Sequence, residues 1–189
     1  MLAGLGIGRL RGGRVANLAR LTPRWLPLVV VAAAAVTAAR VSLVPVGAAR
    51  LMVVGGYALA LAALVANLRL PWVGLACLGV ALNAAVVAAN GGRMPVSPAV
   101  LRQAAAGVLI AGTTGPFYVV AGPGTPLALL GDTLPVVAGG VGAILSPGDA
   151  LLAFGIAATL QAGMRGGPRR QAPSRPLPAP EGNGDRPAP

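Results

Sequence analysis

Carboxylates are the residues of this chain best suited to chemistry, and only two of them lie in its body. Asp132 and Asp149 each follow a glycine, whereas Glu181 and Asp185 lie near the C-terminus. Two carboxylates at one face of a membrane could hold a cation or share a proton. Their positions along the chain do not establish that they meet, so a functional pair is a hypothesis.

Both aspartates also have a structural interpretation. Ser146-Pro147-Gly148-Asp149 has the spacing of a capping box with proline at the first helical position, which predicts a helix beginning at Pro147. Asp132, in Leu-Leu-Gly-Asp-Thr-Leu-Pro, is typical of a turn residue whose side chain bonds nearby backbone. We favour structure for both residues and keep the functional alternative open.

Other polar residues are expected near these acids. Arg93 could pair with either aspartate, and it is flanked in sequence by Asn90 and Ser97. The predicted polar cluster, at the outer ends of the predicted spans, comprises Asn90, Arg93, Ser97, Asp132 and Asp149.

Asn83 lies seven residues before Asn90, so the two share one helix face with Gly79. An asparagine inside a span usually bonds a neighbouring helix, with a strength of about 0.6–1.7 kcal/mol. We therefore expect packing between helices rather than ligand binding.

Several kinds of chemistry are excluded by residue types. The chain has no histidine and a single cysteine, Cys77, so Ser-His and Cys-His catalysis, an internal disulfide and a cysteine-based metal site are ruled out. All 15 basic residues are arginine, and a phosphate-binding loop would need a lysine. We predict no catalytic residue, no metal site and no cofactor, and we lean away from an enzyme.

The net charge of +11 does not indicate nucleic-acid binding. The arginines lie at 9–24, in short loops and at 165–186, beside apolar runs and without stacking aromatic residues or a recognition motif. Of all residues 56% are hydrophobic and only 10% charged, against about a quarter charged in soluble domains. These values predict a membrane protein whose basic flanks meet anionic lipid on the cytoplasmic side.

Apolar runs predict an all-α, polytopic membrane protein with about four transmembrane helices. The predicted membrane domain, 25–164, contains spans at about 25–44, 51–68, 70–90 and 147–164. Glycine and proline interrupt the loop between the last two spans, 91–146, and predict an interfacial or re-entrant segment there, including a helix from Pro98 to about residue 110.

The two ends of the chain are basic. Residues 1–24 form a basic N-terminal segment, and 165–189 is a Pro/Arg-rich tail that we expect to be disordered. Its Pro-x-x-Pro at 173–176 could dock a partner, but a solubilising tail is favoured. A cleaved signal peptide is the alternative for the first apolar run. Basic ends on the cytoplasmic side require an even number of crossings, which places 91–146 outside.

Four motifs in order carry a family resemblance. Leu10-Arg11-Gly12-Gly13-Arg14 precedes Asn90-Gly91-Gly92-Arg93-Met94-Pro95-Val96-Ser97, then Leu130-Gly131-Asp132, then Ser146-Pro147-Gly148-Asp149. Together they resemble a family of small bacterial integral membrane proteins of unknown function, over about residues 5–165. The resemblance implies a full apolar helix before Arg-Gly-Gly, of which only a short part is present here. It implies no activity.

Two classes of function remain after these exclusions. We favour a non-enzymatic cell-membrane protein, a scaffold or a subunit of a larger assembly with another membrane protein or with copies of itself. The alternative is a small transporter or a cation- or proton-dependent membrane enzyme that uses Asp132 and Asp149.

Overall fold

A computed structural model of the protein describes residues 2–10, 12–41, 45–105, 109–110, 116–138 and 141–165. This part of the chain is mostly helical, as expected. Its α-helices are α1 (Leu2–Leu10), α2 (Leu26–Val41), α3 (Val46–Val65), α4 (Val73–Ala89), α5 (Pro98–Ala105) and α6 (Pro147–Arg165).

The four long helices pack in the order α2, α3, α4, α6, and α1 lies against α6. Short connections make α2, α3 and α4 alternate in direction. Among the described residues one helix, Val46–Val65, is long and apolar enough to cross a membrane, and Pro27–Ala39 and Val73–Ala89 are shorter apolar helices. The predicted count of four spans therefore stays a prediction.

Small residues let α4 and α6 approach closely. A Cβ added at Gly79 would collide with the backbone carbonyl of Gly148 and would lie 2.6 Å from the backbone nitrogen of Leu152. Further along, a Cβ at Gly155 would lie 2.9 Å from the Cα of Ala76. Backbone cannot move aside as a flexible side chain can, so these glycines determine the separation of the two helices.

Segment 91–146 contains strands, which corrects the all-α prediction. Glycine and proline are frequent in this segment and disfavour long helices, and its short apolar stretches pair their backbones with one another instead. Two small sheets result, one with β1 and β3 in parallel and one with the order β2-β5-β4. The strands are β1 (Met94–Val96), β2 (Leu109–Ile110), β3 (Tyr118–Val120), β4 (Leu134–Ala138) and β5 (Val141–Leu145).

These strands and α5 lie over one end of the long helices, and we call the described residues between 91 and 146 the cap. Arg50, near the start of α3, donates from Nε and Nη2 to the carbonyl of Pro116, at 3.1 and 2.9 Å. The helix predicted from Pro98 begins there, as expected; it is described as far as Ala105, and Leu109–Ile110 is a strand rather than the end of that helix. We call this the capped end of the molecule.

The opposite end brings the two basic parts of the chain together. The backbone nitrogen of Arg14 donates to the carbonyl of Met164 at 2.9 Å. The side chain of Asn17 donates to the same carbonyl at 2.8 Å. The start of the chain and the end of α6 therefore meet at what we call the basic end. Of the predicted disordered tail, only Arg165 falls within the described residues.

Candidate functional site

The capping box predicted at the start of α6 is present. The backbone nitrogen of Ser146 donates to Oδ2 of Asp149 at 3.0 Å, and the backbone nitrogen of Asp149 donates to Oγ of Ser146 at 2.9 Å. Each residue thereby satisfies a donor that the first helical turn would otherwise leave unpaired. The carboxylate also lies beside the positive end of the helix dipole.

Asn83 extends this capping box onto α4. Its side-chain nitrogen donates to Oδ1 of Asp149 at 2.7 Å, and its oxygen accepts a hydrogen bond from Oγ of Ser146 at 2.8 Å. Asn83 and Ser146 are both buried. The expectation that Asn83 bonds a neighbouring helix is confirmed. We call Asn83, Ser146 and Asp149 the α4–α6 network.

Asp132 is held by its backbone within the cap. Its nitrogen donates to the carbonyl of Pro95 at 2.8 Å, and its carbonyl accepts from the nitrogen of Ser97 at 3.0 Å. These bonds extend the pairing of β1, in a single bridge between Val96 and Asp132. Gly131 permits this approach, because a Cβ there would collide with the Pro95 carbonyl. Asp132 is only 6% exposed.

Both body aspartates line one cavity of about 300 Å³ beneath the cap. Tyr57 of α3 and Tyr118 of β3 contribute to its wall as well. The other lining residues are apolar side chains and one glycine: Val53, Val87, Gly92, Met94, Phe117, Ile144 and Leu145. The structure therefore brings together the two acids that are far apart in sequence.

Among the described residues, the other predicted members of the polar cluster do not line this cavity, although the backbone nitrogen of Ser97 donates to the carbonyl of Asp132. Asn90 donates to the carbonyls of Val86 and Pro126, at 2.8 and 3.0 Å. Arg93 donates from Nε to the carbonyl of Asn90 at 3.4 Å. Within the described part of the chain, the cavity wall includes Asp132 and Asp149 but not Asn90, Arg93 or Ser97.

The sequence interpretation missed the two tyrosines. They are the only tyrosines in the chain, and both line the cavity. Their rarity in so apolar a sequence is a signal that could have drawn attention to them. Their meeting could not have been predicted, because one lies in the middle of α3 and the other in a three-residue strand.

Comparison with known proteins gives a family but no activity. A family model described as a family of unknown function (DUF5317) matches residues 18–161. No curated protein and no solved structure matches the chain.

Proposed function

The chain belongs to the DUF5317 family of unknown function, and from this premise we propose that it is a multi-pass cell-membrane protein with four spans. Its role is that of a non-enzymatic scaffold or a subunit of a membrane assembly. The observation that carries the proposal is the outward exposure of apolar side chains on four neighbouring, long helices.

The outer faces of these helices suit lipid rather than water. Val30 on α2, Leu51 on α3 and Phe154 on α6 are 63%, 74% and 59% exposed. Only 22% of the apolar window of α3 is buried, whereas the central helix of a soluble protein is mostly buried. Exposed apolar surface of this kind marks contact with a membrane or another protein.

Two tryptophans support the placement of the membrane boundary. Trp25 directly precedes α2 and Trp72 directly precedes α4, both at the basic end, and both are more than half exposed. Tryptophan is enriched at membrane–water interfaces, where its ring is apolar and its N–H stays hydrated. In our proposal this interface is the cytoplasmic one, with both termini inside and the cap outside.

The structural role of the Asp149 carboxylate favours the scaffold over an enzyme. Both carboxylate oxygens of Asp149 accept hydrogen bonds within the α4–α6 network. The partners that we propose are the lipid bilayer and either another membrane protein or further copies of this chain. We do not propose a nucleic acid as a partner.

A topology experiment tests the proposal. Alkaline phosphatase, active only outside the cytoplasm, is fused after Asn67, after Gly124 or after Arg165. We expect activity from the Gly124 fusion alone, with the reverse pattern for a fluorescent reporter active in the cytoplasm. Phosphatase activity after Asn67, or its absence after Gly124, would contradict the four-span topology.

The shared cavity favours one alternative, a small transporter or a cation- or proton-dependent membrane enzyme that uses Asp132 and Asp149. A cation bound between the carboxylates would stabilise the folded state by mass action. The test is the unfolding temperature of purified protein with Na⁺, K⁺ or Mg²⁺, for wild type and for D132N and D149N. The matched control is D185N, which removes an acidic residue near the C-terminus. Cation-dependent stabilisation that survives in D185N and disappears in both body variants would favour the alternative.

A further inference from the structure

At the basic end, hydrogen bonds to other parts of the chain hold both ends of the segment 12–24, which we call the basic strap. At its start, Arg14 and Asn17 bond the carbonyl of Met164. At its end, Asn67 closes two bonds with Arg24: the nitrogen of Arg24 donates to Asn67 Oδ1 at 2.7 Å, and Asn67 Nδ2 donates to the Arg24 carbonyl at 2.6 Å. The strap thus runs from the end of α6 to the α3–α4 turn.

Packing and a third contact hold the middle of the strap. A Cβ at Gly163 of α6 would meet Leu21 at 2.6 Å and Leu18 at 3.2 Å, so the strap lies directly on that helix. Arg69 of the α3–α4 turn donates from Nη2 to the carbonyl of Thr22 at 2.6 Å. The positive-inside rule, which relates the orientation of a membrane protein to its basic residues, depends on how many of them lie near a span. It therefore does not require the backbone that carries them to be fixed.

Exposed positive charge follows this fixed backbone. The side chains of Arg14, Arg24, Arg69 and Arg165 are exposed at this end. The two acids among the described residues, Asp132 and Asp149, both lie at the capped end. The positive charge of the basic end therefore has no acidic neighbour in the described part of the chain.

We propose that the basic strap is a preorganised binding surface for the phosphate headgroups of anionic phospholipids. The inference rests on the proposed membrane role. Trp25 and Trp72 flank the strap at the depth of the headgroups in that arrangement, so the neighbouring guanidinium groups lie where lipid phosphates lie. Guanidinium is suited to phosphate by its planar pair of donors, and a fixed backbone reduces the ordering cost of binding.

Native mass spectrometry tests this proposal. The full chain is purified in a neutral detergent doped with equal amounts of phosphatidylglycerol and phosphatidylcholine, and the lipids retained on the protein are counted. We expect wild type to retain phosphatidylglycerol preferentially, and R14Q and R24Q each to reduce that preference roughly fivefold. The matched control is R102Q, which removes an exposed arginine from α5 of the cap and should leave the preference unchanged.

Variants that keep every charge separate a fixed surface from simple attraction. N67A and N17A each remove side-chain hydrogen bonds that hold one end of the strap, without changing the arginines. We expect both variants to lower the preference for phosphatidylglycerol at least twofold. N17A breaks only one side-chain hydrogen bond, so it should still fold and allow the test even if N67A does not fold.

Three results would overturn the inference: equal retention of the two lipids by wild type, an equal loss in R102Q, or full preference in folded N17A and N67A. In each case the membrane proposal stands if the topology reporters agree with it. Release of the protein from membranes by alkaline carbonate would instead contradict the proposal that it is a membrane protein.

Discussion

At the basic end, exposed arginines lie around a strap whose backbone is held by two asparagines, whereas at the capped end two aspartates face a cavity beneath short strands. The asparagines Asn17 and Asn67 bond backbone carbonyls at the basic end and leave the charged groups facing outward. Asn83 bonds the charged group itself at the capped end. The same residue type therefore holds backbone beneath exposed charges at one end and hydrogen-bonds a charged group directly at the other.

This difference predicts where substitutions cost stability. Bonds to a carboxylate are stronger than bonds between neutral groups, and leaving the buried Asn83 or Ser146 unpaired is costly. The capped end should therefore tolerate change less well than the basic end. The predictions below test that order in detergent micelles, from the largest expected loss of unfolding free energy to the smallest.

The largest effect is expected from G79A on α4. A methyl group there collides with the backbone of Gly148 and Leu152, so α4 and α6 must separate and the α4–α6 network must open. We expect a loss of about 3 kcal/mol, at the upper end for overpacking. Thermal and denaturant unfolding followed by circular dichroism would measure it.

G55A is the matched control for G79A. Gly55 lies in α3, where an added Cβ meets nothing within 4 Å. Alanine favours a helix over glycine by about 1 kcal/mol, so G55A should be neutral or stabilising. Equal losses in the two variants would contradict the close approach of α4 and α6.

N83A tests the α4–α6 network without adding volume. It removes the donor to Asp149 and the acceptor for Ser146, and both partners remain at the helix interface. We expect a loss of about 2–3 kcal/mol, because one of the bonds involves a charged group. N90A removes bonds to two backbone carbonyls from a partly exposed residue and should cost less than about 1 kcal/mol. A smaller loss for N83A than for N90A would refute the assignment.

D149N separates charge from shape at the same place. The carboxylate accepts one hydrogen bond from Asn83 and one from the backbone nitrogen of Ser146, whereas an asparagine side chain has only one acceptor oxygen, so one of the two bonds is lost. The favourable interaction of the negative charge with the helix dipole is lost as well. We expect a loss of about 1–2 kcal/mol, less than for N83A. Unchanged stability in D149N would mean that the carboxylate has no structural role.

These residues also show what the sequence could and could not predict. The capping box is local, with its two partners three residues apart, so residue types and spacing were enough to predict both hydrogen bonds and the first residue of α6. For Asn83, the position of an asparagine inside a predicted span indicated a bond to a neighbouring helix. The partner lies more than 60 residues away, so the sequence could not identify it.

The cap was the least predictable region. Its glycines and prolines correctly indicated that helices end there, but strands of two to five residues have no usable periodicity. The parallel pairing of β1 with β3 depends on contacts across the whole cap, as does the bridge from Val96 to Asp132. For the same reason, the sequence could not predict the partner of Arg93. We expected it beside the acids, and in the structure its side chain donates to the carbonyl of Asn90.

Apart from the controls G55A and N90A, the smallest loss of stability is predicted for N17A at the basic end. Asn17 is partly buried and makes a neutral hydrogen bond to the Met164 carbonyl, which keeps the bond from the backbone of Arg14. Because the carbonyl stays paired, the loss should be about 1 kcal/mol or less. The same substitution is nevertheless expected to lower phosphatidylglycerol retention, whereas N83A should lower stability and leave lipid retention unchanged. That crossed pattern would separate the two ends by role; losses of both properties in both variants would show that the ends are coupled through the helices.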